Sequence, residues 1–151
     1  MTTANALWGL PDPETKPEFY ADVPMKRFIA WIVDTVLIAL ITAIIIPFTA
    51  FTALFFLPVL FLTVGLVYRW MSLTRRSATP GMRLVAIEFR THDGNRFDAG
   101  YAFIHTVAYT VSVSMVLPQV ISAILMLVTP RAQGLTDMAL GTAAVNRPAA
   151  Y

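Results

Sequence analysis

Nineteen consecutive residues, Phe28 to Ile46, contain a single charged side chain, Asp34, with Arg27 at their entrance. About 20 apolar residues in a helix cross the hydrocarbon core of a bilayer. The run therefore predicts a membrane-spanning helix with a carboxylate near its middle. Even on the lenient insertion scale, such a charge costs roughly 2.5–3.5 kcal/mol at the helix centre. A residue of that cost is expected to face a partner, a water-filled cavity or an ion path. Two readings follow: an ion- or proton-binding carboxylate, or a structural one satisfied by hydrogen bonds or by an arginine from elsewhere. In a helix Arg27 and Asp34 share a face but lie roughly 10 Å apart along the axis, so each is expected to have another partner.

The rest of the composition agrees. Of 151 residues, 57% are hydrophobic and 13% charged, against about 25% charged in soluble domains. The absence of cysteine excludes disulfides, thiolate metal sites and cysteine nucleophiles. The first 26 residues are polar and proline-rich and lack an apolar h-region, so no cleavable signal peptide is expected. Residues 1–23 read as a flexible polar arm, with Trp8, Phe19 and Tyr20 suited to the headgroup level.

Pro47 closes the first apolar run, and Thr49 to Tyr68, free of charge, forms a second span after a very short connection. Pro58 and Gly65 are tolerable there. Arg69 to Gly100 is the polar segment. It holds six of the nine arginines, which is expected to keep it in the cytoplasm together with Lys26 and Arg27. Within it, Arg83 to Arg90 alternates as a strand does, with Val85, Ile87 and Phe89 on one side and Leu84, Ala86, Glu88 and Arg90 on the other. His92 to Asn95 supplies a turn. Tyr101 to Thr129 again lacks Lys, Arg, Asp and Glu. It is too long for one span and too short for two, so it is either a kinked helix or a pair of short helices turning near Pro118. Charge favours the pair, which returns Arg131 and Arg147 to the cytoplasm and lets Gly141 to Val145 reach the Arg83–Arg90 strand.

The remaining chemistry is sparse. Thr79-Pro80-Gly81-Met82-Arg83 reads as a turn in which glycine allows a positive φ. It fits neither phosphate-binding glycine motif. Arg69, Arg75 and Arg76 follow a span and suit anionic lipid headgroups. Nucleic-acid binding is not expected, because stacking aromatics are missing from this loop apart from Trp70. His92 and His105 have no metal-ligand spacing with a carboxylate pair. His105 reads as a hydrogen-bonded helix residue with a proton relay as the sharper alternative. Ser112, Ser114 and Ser122 suit helix packing or backbone hydrogen bonds. Asp137 is expected at the cytoplasmic rim, paired with Arg27. No nucleophile, metal cluster, cofactor motif or phosphate cradle is legible, so an enzyme is not expected.

Lys26-Arg27 with Asp34, the Thr79–Arg83 turn, Asp93-Gly94, and Gly134-Leu135-Thr136-Asp137 ahead of Gly141-Thr142 stand in an order that resembles the RDD family of bacterial membrane proteins. The resemblance covers roughly Val23 to Val145. It implies that Arg27, Asp34 and Asp137 are the charged triad that gives the family its name. It also implies that ion or small-ligand transport, sodium–proton exchange included, is the activity to test. Two departures stand out. His105 occupies a place where family members often carry arginine, and the basic cluster before the second aspartate is reduced to Arg131.

The expected fold is an all-α integral membrane protein of the bacterial inner membrane with a cytoplasmic N-terminus. It is a small helical bundle of two spans plus a kinked or hairpin third region, with a short cytoplasmic β element. Residues 24–146 form the membrane domain and 147–151 a tail. Transport centred on Asp34 predicts a homo-oligomer. The alternative is an accessory or assembly subunit of a larger membrane complex, with Arg27, Asp34 and Asp137 as a folding clamp.

Overall fold

A computed structural model of the chain describes residues 9–147; Trp8 and the tail from Pro148 lie outside them. Helix α1, Val23–Phe48, begins with Pro24 in its first turn, where a missing N–H costs nothing. Ala50 and Phe51, both at positive φ, turn the chain into a 3-10 turn, Thr52–Phe56, and then into α2, Leu57–Arg76. Gly65 lies against Ile38 and Tyr68 against Asp34. One residue number rises as the other falls, so α1 and α2 are antiparallel. The segments Pro17–Phe48 and Thr52–Arg76 are both long and apolar enough to cross a membrane.

The second helix does not stop at Tyr68. It runs on through Arg69 to Arg76, because nothing between Tyr68 and Ser77 breaks a helix. Arg69 is consequently inside the bundle, mostly buried. Its guanidinium lies 3.8 Å from the centroid of the Tyr109 ring, and Nη2 donates to Tyr109 Oη at 3.1 Å. The expectation that Arg69 meets lipid headgroups is therefore corrected, while Arg75 and Arg76 are exposed.

The expected eight-residue strand is also corrected. Pro80–Leu84 forms the short helix α3, N-capped by the Thr79 hydroxyl, which accepts from Met82 N at 3.2 Å. Ala86 sits at positive φ, and the strand β1 is only Ile87–Arg90. It pairs antiparallel with β2, Ala143–Asn146, Glu88 opposite Val145 and Phe89 opposite Ala144. The sequence expectation that the Gly141–Val145 region reaches this strand agrees with that register. Ser77, at the end of α2, fixes the ribbon to the helix. Its Oγ donates to Phe89 O and accepts from Phe97 N, and its carbonyl accepts from Phe89 N.

Tyr101 to Thr129 forms two helices, α4 (Ala99–Val113) and α5 (Val116–Val128), bent by 114°. The break falls at Ser114–Met115 rather than near Pro118. Pro118 stands in the first turn of α5, where its N–H is not needed. A last short helix, α6 (Leu135–Leu140), leads into β2, so the chain returns to the end of the bundle where α1 begins.

That end holds the packed core. Val23, Ala30, Leu73, Met82, Ile87, Phe89 and Ala144 form one cluster. The described part of the N-terminal arm lies against the ribbon, where Leu10, Phe19 and Tyr20 meet Ala143 and Val145. Asn146 donates to the Glu18 and Ala21 carbonyls. The opposite end is bare and apolar, with Phe48 86% and Phe55 85% exposed. Aromatic side chains of that size are favoured in lipid rather than in water.

Candidate functional site: two buried carboxylates

Each aspartate of the triad lies at a meeting of three or more elements, and each is sealed from the surface. Asp34, 1% exposed, projects from the middle of α1. Its Oδ1 accepts from Tyr68 Oη at 2.7 Å and from Gly81 N at 2.9 Å, and its Oδ2 accepts from Thr79 Oγ1 at 2.5 Å. Helix α2 supplies Tyr68, and the Thr79-Pro80-Gly81 start of α3 supplies the rest. The Gly81 N–H is one of the donors that every helix N-terminus leaves free. A Cβ on Gly81 would stand 2.3 Å from Ala30 O and 2.8 Å from Asp34 Oδ1. Close approach therefore requires glycine here. The positive φ expected at Gly81 is not what the position uses, since the residue is helical. Among the described residues no cation forms an ion pair with Asp34.

Asp137, fully buried, is held differently. Arg27 Nη1 lies 2.5 Å from Oδ2, and His105 Nε2 lies 2.9 Å from Oδ1. Thr142 Oγ1 donates to Oδ1 at 3.0 Å, and Gly134 N donates to Oδ2 at 3.2 Å. Arg27 stands over the Phe89 ring at 5.2 Å, and His105 packs against both Phe89 and Phe97, which also stack on each other. Burial alone pushes the Asp137 carboxyl up. The Arg27 charge and the His105 hydrogen bond outweigh it and hold the group well below the ordinary carboxylate range. The ion pair expected between Arg27 and Asp137 is present in the geometry, and neither contacts Asp34.

The other expected residues distribute around these two centres. Thr79, Pro80 and Gly81 build the Asp34 cage, whereas Arg83 points outward and is exposed. Arg131 is buried and precedes Ala132, whose carbonyl lies 3.4 Å from Arg27 Nη1. His105, the departure from the family pattern, is a direct partner of Asp137. Ser122 Oγ accepts from Leu135 N and so joins α5 to α6, and Ser114 bonds its own helix backbone at Thr110.

Tyr68, Thr142, Gln133 and Glu88 escaped the sequence reading. Tyr68 had one available signal, a hydroxyl at the very end of an uncharged run. Gln133 Nε2 supports the second centre by donating to Thr142 O at 2.7 Å. Glu88 was expected on the side opposite Ile87 and Phe89, with no partner named, and it is 2% exposed. Arg90 bonds it directly, and Arg96 and Arg147 lie 3.6 and 3.7 Å away. Its signal was the number of arginines on neighbouring segments.

The model for the RDD family matches residues 21–141 of the chain. This chain belongs to the RDD family. The match spans both aspartates and most of what encloses them, with Thr142 and β2 just beyond it, so the two centres are the buried polar heart of an RDD-family membrane protein. No curated protein and no solved structure matches the chain.

Proposed function

We propose that this RDD protein is a non-enzymatic transporter of protons or small cations in the bacterial inner membrane, with Asp34 as the ion-handling carboxylate. The observation that carries the reading is the absence of any ion-paired cation at Asp34 among the described residues, within a helix long enough to span. A buried carboxylate is normally paired or coordinates a cation. Here its negative charge is stabilised by hydrogen bonds from three uncharged groups, which leaves a proton or a cation as the natural counter-charge. Arg27, His105 and Asp137 then fix the fold of the adjoining end. That end carries Lys26, Arg27, Arg75, Arg76, Arg83, Arg90 and Arg96, which supports a cytoplasmic N-terminus by the positive-inside rule. The transport pathway is completed in a homo-oligomer, since the two long apolar helices and one bent pair among the described residues offer little room for one alone. Exposed Arg75 and Arg76 meet anionic lipid headgroups.

The test is cation-driven proton exchange in proteoliposomes, comparing wild type with Asp34→Asn. Exchange present in the first and lost in the second supports the reading. A variant that exchanges as fast as wild type removes Asp34 from the pathway. A second reading rests on the saturation of the Asp34 cage, in which both oxygens are already bonded and Gly81 seals one side. It makes both aspartates folding clamps in an accessory subunit of a larger membrane complex. Correctly inserted wild-type protein with no exchange, recovered with a partner from native membranes, selects it.

A further inference from the structure

One face of α2 is left open along most of its length. Leu60, Val64, Val67 and Met71 recur at helical spacing and line a groove of about 560 Å³, with Ile41 and Ile45 of α1 closing its inner end. Toward the other end the same stripe turns polar, through Ser72 to Arg75. Arg75 is exposed and takes part in no ion pair among the described residues. From Leu60 to Met71 the stripe is roughly 16 Å long at the helical rise, close to the half-thickness of a ~30 Å hydrocarbon core. A groove one leaflet deep, apolar along most of its length and ending in a guanidinium with no ion pair among the described residues, has the shape and charge of one lipid.

We propose that this groove binds an anionic phospholipid, one acyl chain lying along α2 and the phosphate held by Arg75. The charge at the mouth selects anionic over zwitterionic headgroups. A second copy of the chain fits the face less well. Helix pairs in membranes close on small residues, and Gly65, which would serve that purpose, is already used against Ile38. The Tyr68 ring forms part of the groove wall while its hydroxyl bonds Asp34, so a bound lipid touches the residue that positions the carboxylate. The binding site itself does not depend on Asp34 carrying an ion.

The experiment is native mass spectrometry of the delipidated full-length protein, titrated with phosphatidylglycerol or phosphatidylcholine. Phosphatidylglycerol is expected to bind one per chain and about fivefold or more tightly than phosphatidylcholine, as one basic contact supplies. Arg75→Gln should erase that preference, Arg76→Gln should keep it, and Val64→Trp should block both lipids by filling the groove. Equal losses from Arg75→Gln and Arg76→Gln would overturn the proposal in favour of diffuse headgroup attraction. So would full competition by glycerol phosphate, or a dimer that Val64→Trp dissociates. Arg75 and Arg76 are both exposed, so their variants test binding without disturbing the core. Loss of lipid preference with exchange intact would separate this site from the transport reading.

Discussion

Asp34 and Asp137 are both buried carboxylates within one small bundle, yet their surroundings are opposite in kind. Asp137 meets a guanidinium, an imidazole, a hydroxyl and a backbone N–H. Asp34 meets two hydroxyls and a backbone N–H. The first arrangement neutralises the charge inside the protein and is fit to hold elements together. The second stabilises the charge without neutralising it. Both accept a hydrogen bond from the backbone N–H of a glycine, Gly81 in one case and Gly134 in the other, though only Gly81 owes its lack of a side chain to the carboxylate, and both join α1 to later parts of the chain. The difference teaches that burial alone does not assign a role to an aspartate. The nature of its donors does.

Breaking the two centres in parallel should expose this contrast. Arg27→Met leaves Asp137 buried without its closest cation, and removing one member of a buried pair costs about 3–5 kcal/mol. This variant is expected to show the largest fall in unfolding midpoint in mild detergent. Exchanging the charges, with Asp at 27 and Arg at 137, should not restore stability. An arginine at 137 would set its own donors against the Gly134 N–H and place its larger head beside the His105 ring, in a space that fits a carboxylate. A swap that recovers the wild-type midpoint contradicts a multi-donor clamp and reduces it to a simple pair.

Gly81→Ala comes next. The added methyl would overlap Ala30 O and crowd Asp34 Oδ1, and overpacking of this kind costs typically 1–3 kcal/mol. Because Ala30 O is backbone, α3 has to move away from α1, which opens the cage. A variant as stable as wild type, with Asp34 still protected, would show that the contact is softer than its geometry. Asp34→Asn is expected to cost less, about 1–2 kcal/mol. The amide oxygen can still accept from Tyr68 and Gly81, and only the Thr79 contact loses its acceptor. The comparison is sharpest here, since the milder loss of stability should accompany the complete loss of exchange. A variant as unstable as Arg27→Met would make Asp34 a clamp as well.

Much of this was legible in the sequence because membrane constraints are severe. Runs with one charge or none located both long apolar helices, and Asp34 within the first had to find partners. The Arg27–Asp137 pair followed from charge and from which end of the bundle each residue reaches. What was not legible has a physical cause in each case. The extent of α2 past Tyr68 was hidden because arginine is a good helix former, so a charged residue ended the apolar pattern but not the helix. Arg83 to Arg90 alternated, yet Thr79 is a strong N-cap and Pro80 suits the first helical turn, and these local signals won. Tyr68 and Thr142 were invisible as partners because a hydroxyl acquires a role only once two elements are packed. Glu88 is buried, as carboxylates seldom are, because arginines from three positions cover it.

The smallest effect concerns acid, and it again separates the two centres. The folded Asp137 carboxyl is held below its ordinary value near 3.8. In the unfolded chain it takes up a proton at about pH 4. Its contribution to stability is therefore complete above that value and declines as the pH falls toward the depressed folded value. Between pH 5 and 7 it contributes no slope, and below about pH 4 the unfolding midpoint should drop. The difference in midpoint between wild type and Asp137→Asn should shrink over the same acid range, because the variant has no proton to gain there. Protonating Asp137 removes the negative charge that Arg27 Nη1 faces at Oδ2. An Asp137→Asn protein with the same acid slope as wild type would place that proton uptake on another carboxylate.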